Sequence, residues 1–221
     1  FAAKVCTDGY KNNSSQTLIN REVGILMRLN HPSIIKFYGY SLTDFKGKKN
    51  VTIIMQLAQN NTFFDYIYDN EVGSDNTQLQ KILVGIARGM MYLHKNHIIH
   101  RDLKPENVLL DSDFNPLITD FGFAKVIDDI GQHTMKRGTY MFMAPEVVKG
   151  KKYNGKADVF SFGILLFQAV TGKNPYSELK LNDSKVAQKV ATEDYRPLFD
   201  MNIKESFKDL ITQCLDKDAT K

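Results

Sequence analysis

Cysteine is nearly absent from this chain of 221 residues. Cys6 and Cys214 lie almost at opposite ends, leave no metal-ligand spacing, and read as two reduced thiols of a cytoplasmic protein. No uninterrupted apolar run reaches the roughly 18 residues that a membrane span requires. The opening Phe1-Ala2-Ala3-Lys4-Val5 is neither a charged leader nor an apolar signal core. It reads as the middle of a strand, so the chain looks like a fragment. Internal repeats and low-complexity tracts are lacking too. Charge of one sign is also scarce, because the net +4 is spread over 29 basic and 25 acidic residues. The lysine clusters at Lys46 to Lys49 and Lys149 to Lys152 read as solvated turns. With no basic stripe interleaved with aromatics, nucleic acid is not an expected partner.

What is present suits one catalytic unit of two lobes or a single larger domain, since 43% hydrophobic content fills one or two cores at this length. Residues 1 to 6 read as a strand. Leu18 to Leu29 reads as a helix with Ile19, Val23, Leu26 and Leu29 on one side, ended by His31-Pro32. Gly24 inside it costs about 1 kcal/mol relative to alanine, so packing must hold that helix. The apolar runs Ile34 to Tyr40 and Val51 to Leu57, with a lysine-rich turn between, suit a hairpin. Beyond Gln59-Asn60-Asn61 the pattern turns helical. Leu79, Ile82, Leu83, Ile86, Met90 and Leu93 recur at helical spacing. Val159 to Val170 is apolar on nearly every side, as for a central buried helix, and Ile203, Phe207, Leu210, Ile211 and Cys214 make one more amphipathic helix.

The chemistry is concentrated in His100-Arg101-Asp102-Leu103-Lys104-Pro105-Glu106-Asn107, followed thirteen residues later by Asp120-Phe121-Gly122. A proton acceptor, a phosphate-facing lysine and two hard oxygen ligands in one short segment are the minimum inventory for moving a phosphoryl group to a hydroxyl. Both segments resemble the catalytic loop and metal-binding motif of the eukaryotic protein kinases, and further family positions fall in order along nearly the whole chain. The resemblance implies an α+β, bilobal fold. Residues 1–58 would form a partial small lobe, 59–61 the end of the linker and 62–221 a larger, mainly helical lobe. ATP and Mg²⁺ are the implied cofactors.

Residue by residue, the resemblance makes Asp102 the group that accepts the hydroxyl proton and Lys104 the cation beside the transferring phosphate. Asn107 and Asp120 become the magnesium ligands. Lys4, in Phe1-Ala2-Ala3-Lys4, matches the lysine that holds the α- and β-phosphates, with Glu22 on the following helix as its partner. Adenine would lie against Gln56-Leu57-Ala58 with Met55 behind it and Ala2 and Leu109 as apolar faces. Leu26, Phe37, His100 and Phe121 would stack as one apolar column between the lobes, so His100 is structural. Gly122, Glu146 in Ala144-Pro145-Glu146 and Asp158 are implied structural anchors. Asp158 also reads as the cap of its helix.

Lys104 and Thr139 resemble the serine/threonine-specific pattern, where tyrosine-specific relatives carry alanine or arginine and a proline. Gly138-Thr139-Tyr140 and Asp158-Val159-Phe160-Ser161-Phe162-Gly163 resemble the tyrosine-kinase-like group of serine/threonine kinases. Protein substrates with serine or threonine hydroxyls are the expected partners, in intracellular signalling. Arg101 and Lys125 are candidates for a cationic pocket around a phosphate on Thr134 of the activation segment, placed there by an upstream kinase or by autophosphorylation in trans. Glu106 and Asp65 are candidates for selecting basic residues near the target hydroxyl. Two template parts are absent: the Gly-x-Gly-x-x-Gly loop and an arginine partner for Glu146. The fragment alone is therefore expected to bind nucleotide poorly and to fold marginally. A catalytically silent scaffold and a small-molecule kinase of similar shape stay open as alternatives.

Overall fold

Short β-branched and apolar runs build a small sheet at the start of the chain, and longer helical repeats build the rest. A computed structural model describes residues 1–7, 13–70, 73–126, 138–199 and 203–218, without the side chains of residues 13–15. The sheet contains β1 (Ala2–Cys6), β2 (Phe37–Ser41) and β3 (Val51–Met55), all antiparallel in the order β1-β3-β2. Central β3 buries Val51, Ile53 and Met55, and its register sets Lys4 opposite Ile53 and Ala2 opposite Met55. Between β1 and β2 runs α1 (Asn13–Leu26), which packs on the tight turn Phe121–Phe123.

The larger part is mainly helical, as expected of an α+β chain. In order come α2 (Phe63–Asp69), α3 (Thr77–Lys95), β4 (Ile98–Ile99), β5 (Val108–Leu110), β6 (Pro116–Ile118) and β7 (Lys125–Val126). They are followed by α4 (Pro145–Val148), α5 (Lys156–Thr171), α6 (Asp183–Glu193) and α7 (Glu205–Cys214). Antiparallel pairs β4-β7 and β5-β6 frame the segment between Ile99 and Lys125 that carries the His100–Asn107 and Asp120–Gly122 motifs. Helix α5 is the centre of the core. Ile164, Leu165, Leu166 and Phe167 are buried on successive faces, each contributing about 2 kcal/mol of apolar burial.

Several boundaries differ from the sequence expectation. Helix α1 begins and ends earlier than Leu18 to Leu29, because Arg28 and Leu29 close i→i−3 bonds to Ile25 and Leu26 that tighten the last turn. Pro32 therefore lies well beyond the helix end. Ile34 and Ile35 do not belong to β2. They are claimed by β6, since Ile35 N–H donates to Ile118 O and Ile118 N–H donates to Ser33 O. This approach needs small residues on α3, where a Cβ on Gly89 would meet Ile118 Cδ1 at 2.7 Å and Ser33 O at 3.2 Å. On α7, Ile211 is buried but Leu210 is exposed, and Ile203 precedes the helix. Helix α2 shows no long apolar period. It starts from a capping box in which Thr62 and Asp65 satisfy each other's backbone N–H.

Candidate active site

The motif after β4 turns sharply because Arg101 adopts a left-handed conformation, φ 68°. That turn is pinned from beneath by α5. Asp158, fully buried, accepts from His100 N–H through Oδ2 and from Arg101 N–H through Oδ1, both at 2.9 Å. Its Oδ2 also takes a bond from His94 Nε2 at 2.8 Å. Asp158 is thus not the helix cap. Gly155 holds that position, and both carboxylate oxygens serve the loop and α3. His100 is structural in this geometry. Its Nε2 donates to Thr119 O at 2.9 Å, its Nδ1 accepts from Asp102 N–H at 3.3 Å, and its ring meets Phe121 edge-on at 5.2 Å. Leu26 is buried and Phe37 half-buried in the same continuous core.

Asp102 stands at the centre of a polar cluster and is itself nearly buried. Thr139 donates to its Oδ1 from both N–H, at 2.8 Å, and hydroxyl, at 3.0 Å. Asn107 Nδ2 donates to Oδ2 at 2.9 Å and to the backbone oxygen of Asp102 at 2.8 Å. Lys104 Nζ donates to Thr139 Oγ1 at 2.8 Å and lies 3.8 Å from Asp102 Oδ2. The closeness of these loops requires Gly138, whose φ of 118° suits glycine and whose added Cβ would lie 2.6 Å from Arg101 O.

A second cluster is drawn from three distant elements. Lys4 Nζ on β1 reaches Glu22 Oε1 on α1 at 2.7 Å, Glu22 Oε2 at 3.0 Å and Asp120 Oδ1 at 3.2 Å. Burial opposes the Lys4 charge, but Glu22 and Asp120 outweigh it and hold its pKa above the ordinary lysine value. Glu22 also titrates above the ordinary glutamate value, because desolvation outweighs the attraction of Lys4. Asp120 takes a left-handed backbone, φ 62°, and a Cβ added at Gly122 would come into van der Waals contact with Asp120 Oδ1 at 3.6 Å and Glu22 Oε2 at 3.7 Å.

Asn107 turns its amide nitrogen to Asp102, so its Oδ1 is left as a hard oxygen acceptor with no bond among the described residues. Asp120 keeps a carboxylate with 38% exposure. No group of three or more metal-ligating side chains exists among the described residues. Two oxygen donors without nitrogen or sulfur fit magnesium, which keeps waters and substrate phosphates in its shell.

Of the adenine candidates, Met55 is buried, Ala2, Gln56, Ala58 and Leu109 are half-buried, and Leu57 is exposed. Gln56 N–H is taken by Lys36 O. Arg101 Nε donates to Phe123 O and its Nη1 to Tyr153 OH at 3.1 Å, while Nη2 is buried without a partner among the described residues. Lys125 pairs with Ile99 in the β4-β7 ladder. Thr134 lies outside the described residues. Glu146 starts α4 and lines a small cavity with Lys156 and Cys214. Asp65 serves the Thr62 cap through its Oδ2. The sequence reading missed His94 and Tyr153. Neither has a local signal, since each matters only through a partner more than fifty positions away.

The family model for the protein kinase domain matches residues 1–221. A serine/threonine-protein kinase of Arabidopsis thaliana is 34% identical over 200 residues, covering 90% of this chain and 34% of that protein. A putative serine/threonine-protein kinase/receptor of Acanthamoeba polyphaga mimivirus is 36% identical, over 90% of this chain and 12% of its own length. A dual specificity protein kinase of Dictyostelium discoideum is 32% identical, over 95% of this chain and 9% of its own length. The chain thus spans about a third or less of these relatives.

Proposed function

The chain belongs to the protein kinase domain family, and from that premise we propose that it transfers the γ-phosphoryl group of ATP to serine and threonine hydroxyls of protein substrates. The observation that carries this reading is the polar cluster at Asp102, where Thr139, Asn107 and Lys104 orient one carboxylate. Phosphoryl transfer asks for positioning and charge rather than covalent chemistry. Asp102 accepts the proton as the substrate oxygen bonds to the γ-phosphorus, and the bond to the β-phosphate oxygen breaks to release ADP. Lys104 offsets negative charge on the transferring group, and Lys4, steadied by Glu22, holds the nucleotide's phosphates. Adenine takes the apolar surface of Ala2, Met55 and Leu109. Kinases of this family use ATP and Mg²⁺ in general. Here Asn107 Oδ1 and the Asp120 carboxylate are the oxygens that would hold magnesium, which when bound neutralises phosphate charge.

The Lys104–Thr139 bond beside Asp102 supports serine/threonine over tyrosine as acceptor, within the tyrosine-kinase-like group. The domain acts on the cytoplasmic side, where ATP is available and Cys6 and Cys214 remain free thiols. Arg101, whose Nη2 has no partner among the described residues, and Lys125 are the cations to which a phosphate on Thr134 would dock. The test is peptide phosphorylation by the full-length protein against Asp102→Asn, with the phosphoamino acid identified. We expect phosphoserine and phosphothreonine and a loss of about a hundredfold or more in kcat. A loss below tenfold, or mainly phosphotyrosine, overturns the assignment.

A further inference from the structure

Just after Thr139 in the chain, a groove of about 460 Å³ separates Tyr140 and Lys149 from Ser184, Gln188 and Thr192 of α6. The three α6 residues recur every four positions, so one stripe of the helix faces the groove while Val186, Ala187 and Val190 are buried. The stripe carries hydroxyl and amide groups. Among the described residues no carboxylate lines the groove.

Lys149 is the charged residue among those that line it, and further lysines lie close by in sequence. Lys149 forms part of the wall, Lys151 and Lys152 follow in the exposed turn after α4, and Lys185 adjoins Ser184. None of these four has an ion pair among the described residues, whereas Lys189 and Lys208 are paired with Glu193 and Glu205. The turn that reads from sequence as plain solvated charge therefore puts Lys149 in the wall of a groove whose lining holds no carboxylate, with Asp183 beside Ser184 and the Lys189-paired Glu193 beside Thr192 as the neighbouring acids. The groove also adjoins the reacting centre in the chain. Tyr140 borders it, and Thr139 binds Asp102 Oδ1, so it opens one residue, about 3.8 Å of chain, from the residue that orients the proton acceptor.

We propose that this groove receives an acidic segment of the protein substrate, a few residues from the target hydroxyl. The inference rests on the protein-substrate reading above and adds a substrate class to it. Single exposed lysine–carboxylate contacts are weak and screened by salt, so selectivity requires several lysines acting together where they outnumber unpaired carboxylates. Lys149, Lys151, Lys152 and Lys185 supply that excess over Asp183, since Glu193 is paired with Lys189.

The test uses the full-length protein and fluorescein-labelled peptides carrying one serine and a block of four glutamates on either side of it, with glutamine counterparts. Anisotropy should show about tenfold tighter binding of one acidic peptide than of its glutamine counterpart. Lys149→Glu/Lys152→Glu/Lys185→Glu should abolish that preference. Lys46→Glu/Lys48→Glu/Lys49→Glu, which makes the same change of net charge on the exposed turn before β3, should leave it intact. Thr192→Arg, a gain of charge in the groove that misfolding cannot mimic, should tighten the acidic peptide. Equal binding of acidic and glutamine peptides, or equal weakening by both triple variants, overturns the proposal. Transfer is read in parallel. KM for the acidic peptide should rise in the groove variant with kcat unchanged. Groove-dependent binding without phosphorylation of any peptide would sink the kinase reading and leave the groove standing, and phosphorylation without acidic preference would do the reverse.

Discussion

Asp102 and its neighbours hang from a carboxylate buried in the helical part, whereas Lys4 and Glu22 meet between two elements beside the small sheet, with Lys4 still 41% exposed. The first arrangement is made of backbone N–H groups donating to Asp158, so it is set as soon as α5 and the loop after β4 fold. The second depends on β1, α1 and the Asp120 turn arriving together, with charge attraction partly offset by desolvation. One cluster is part of the core. The other is assembled, and it can be lost while the fold stays intact.

The largest effect expected from breaking this contrast is on the buried side. Asp158→Ala would leave the N–H groups of His100 and Arg101 without their buried acceptor and release the His94 ring, whose side chain is 26% exposed. Unfolding in urea should reveal a loss of about 3–5 kcal/mol. A change under about 1 kcal/mol would mean that the loop is held by something other than this carboxylate.

The assembled side should respond in the opposite sense. Lys4→Met/Glu22→Gln removes both charges at once and leaves no buried unpaired carboxylate, so stability should stay within about 1 kcal/mol of wild type. Turnover should nonetheless fall about a hundredfold. Comparable losses of melting temperature in this variant and in Asp158→Ala would erase the distinction between core and assembled clusters.

Acid should separate the two clusters without any substitution. The Glu22 carboxyl titrates above its ordinary value of 4.5, so it takes up a proton in the folded protein before it would in the unfolded chain. Between those two values this group favours the folded state as pH falls, since the native protein binds the extra proton. Protonation nevertheless removes the charge that holds Lys4. Activity should therefore decline on the acid side at a pH where melting shows no loss attributable to Glu22. The kcat/KM profile of Glu22→Gln should lack that limb, and an unchanged profile would show that another group controls it.

Much of the catalytic cluster was legible because its residues are adjacent in sequence: Asp102, Lys104 and Asn107 lie within one turn of chain, and Asp120 follows a short strand. Helices α3 and α5 were legible from periodicity and from continuous apolar character. What stayed hidden depends on pairing across the fold. Ile34 and Ile35 have ordinary strand chemistry, yet β6 takes their hydrogen bonds; Thr139 reads as a docking-loop residue, yet its hydroxyl binds Asp102. Asp65 illustrates the opposite case, since its Thr62-x-x-Asp65 spacing is a local capping signature that the sequence reading passed over.

The smallest expected effect concerns the scaffold of the assembled cluster. Gly24 lies two residues from Glu22 on α1, is exposed, and has no atom within 4 Å of an added Cβ. Gly24→Ala should then stabilise the protein by about 0.5–1 kcal/mol, because alanine loses less backbone freedom in a helix and nothing must move to admit it. Gly89→Ala on α3 tests the same exchange where the Cβ meets Ile118 and Ser33, and it should destabilise despite the same gain in helix propensity. Since α1 carries Glu22, the Gly24 variant should also show slower amide exchange across α1 and a modest rise in turnover. Added stability without slower exchange in α1 would mean that the gain comes from the unfolded chain alone and does not favour assembly of the Lys4–Glu22 pair.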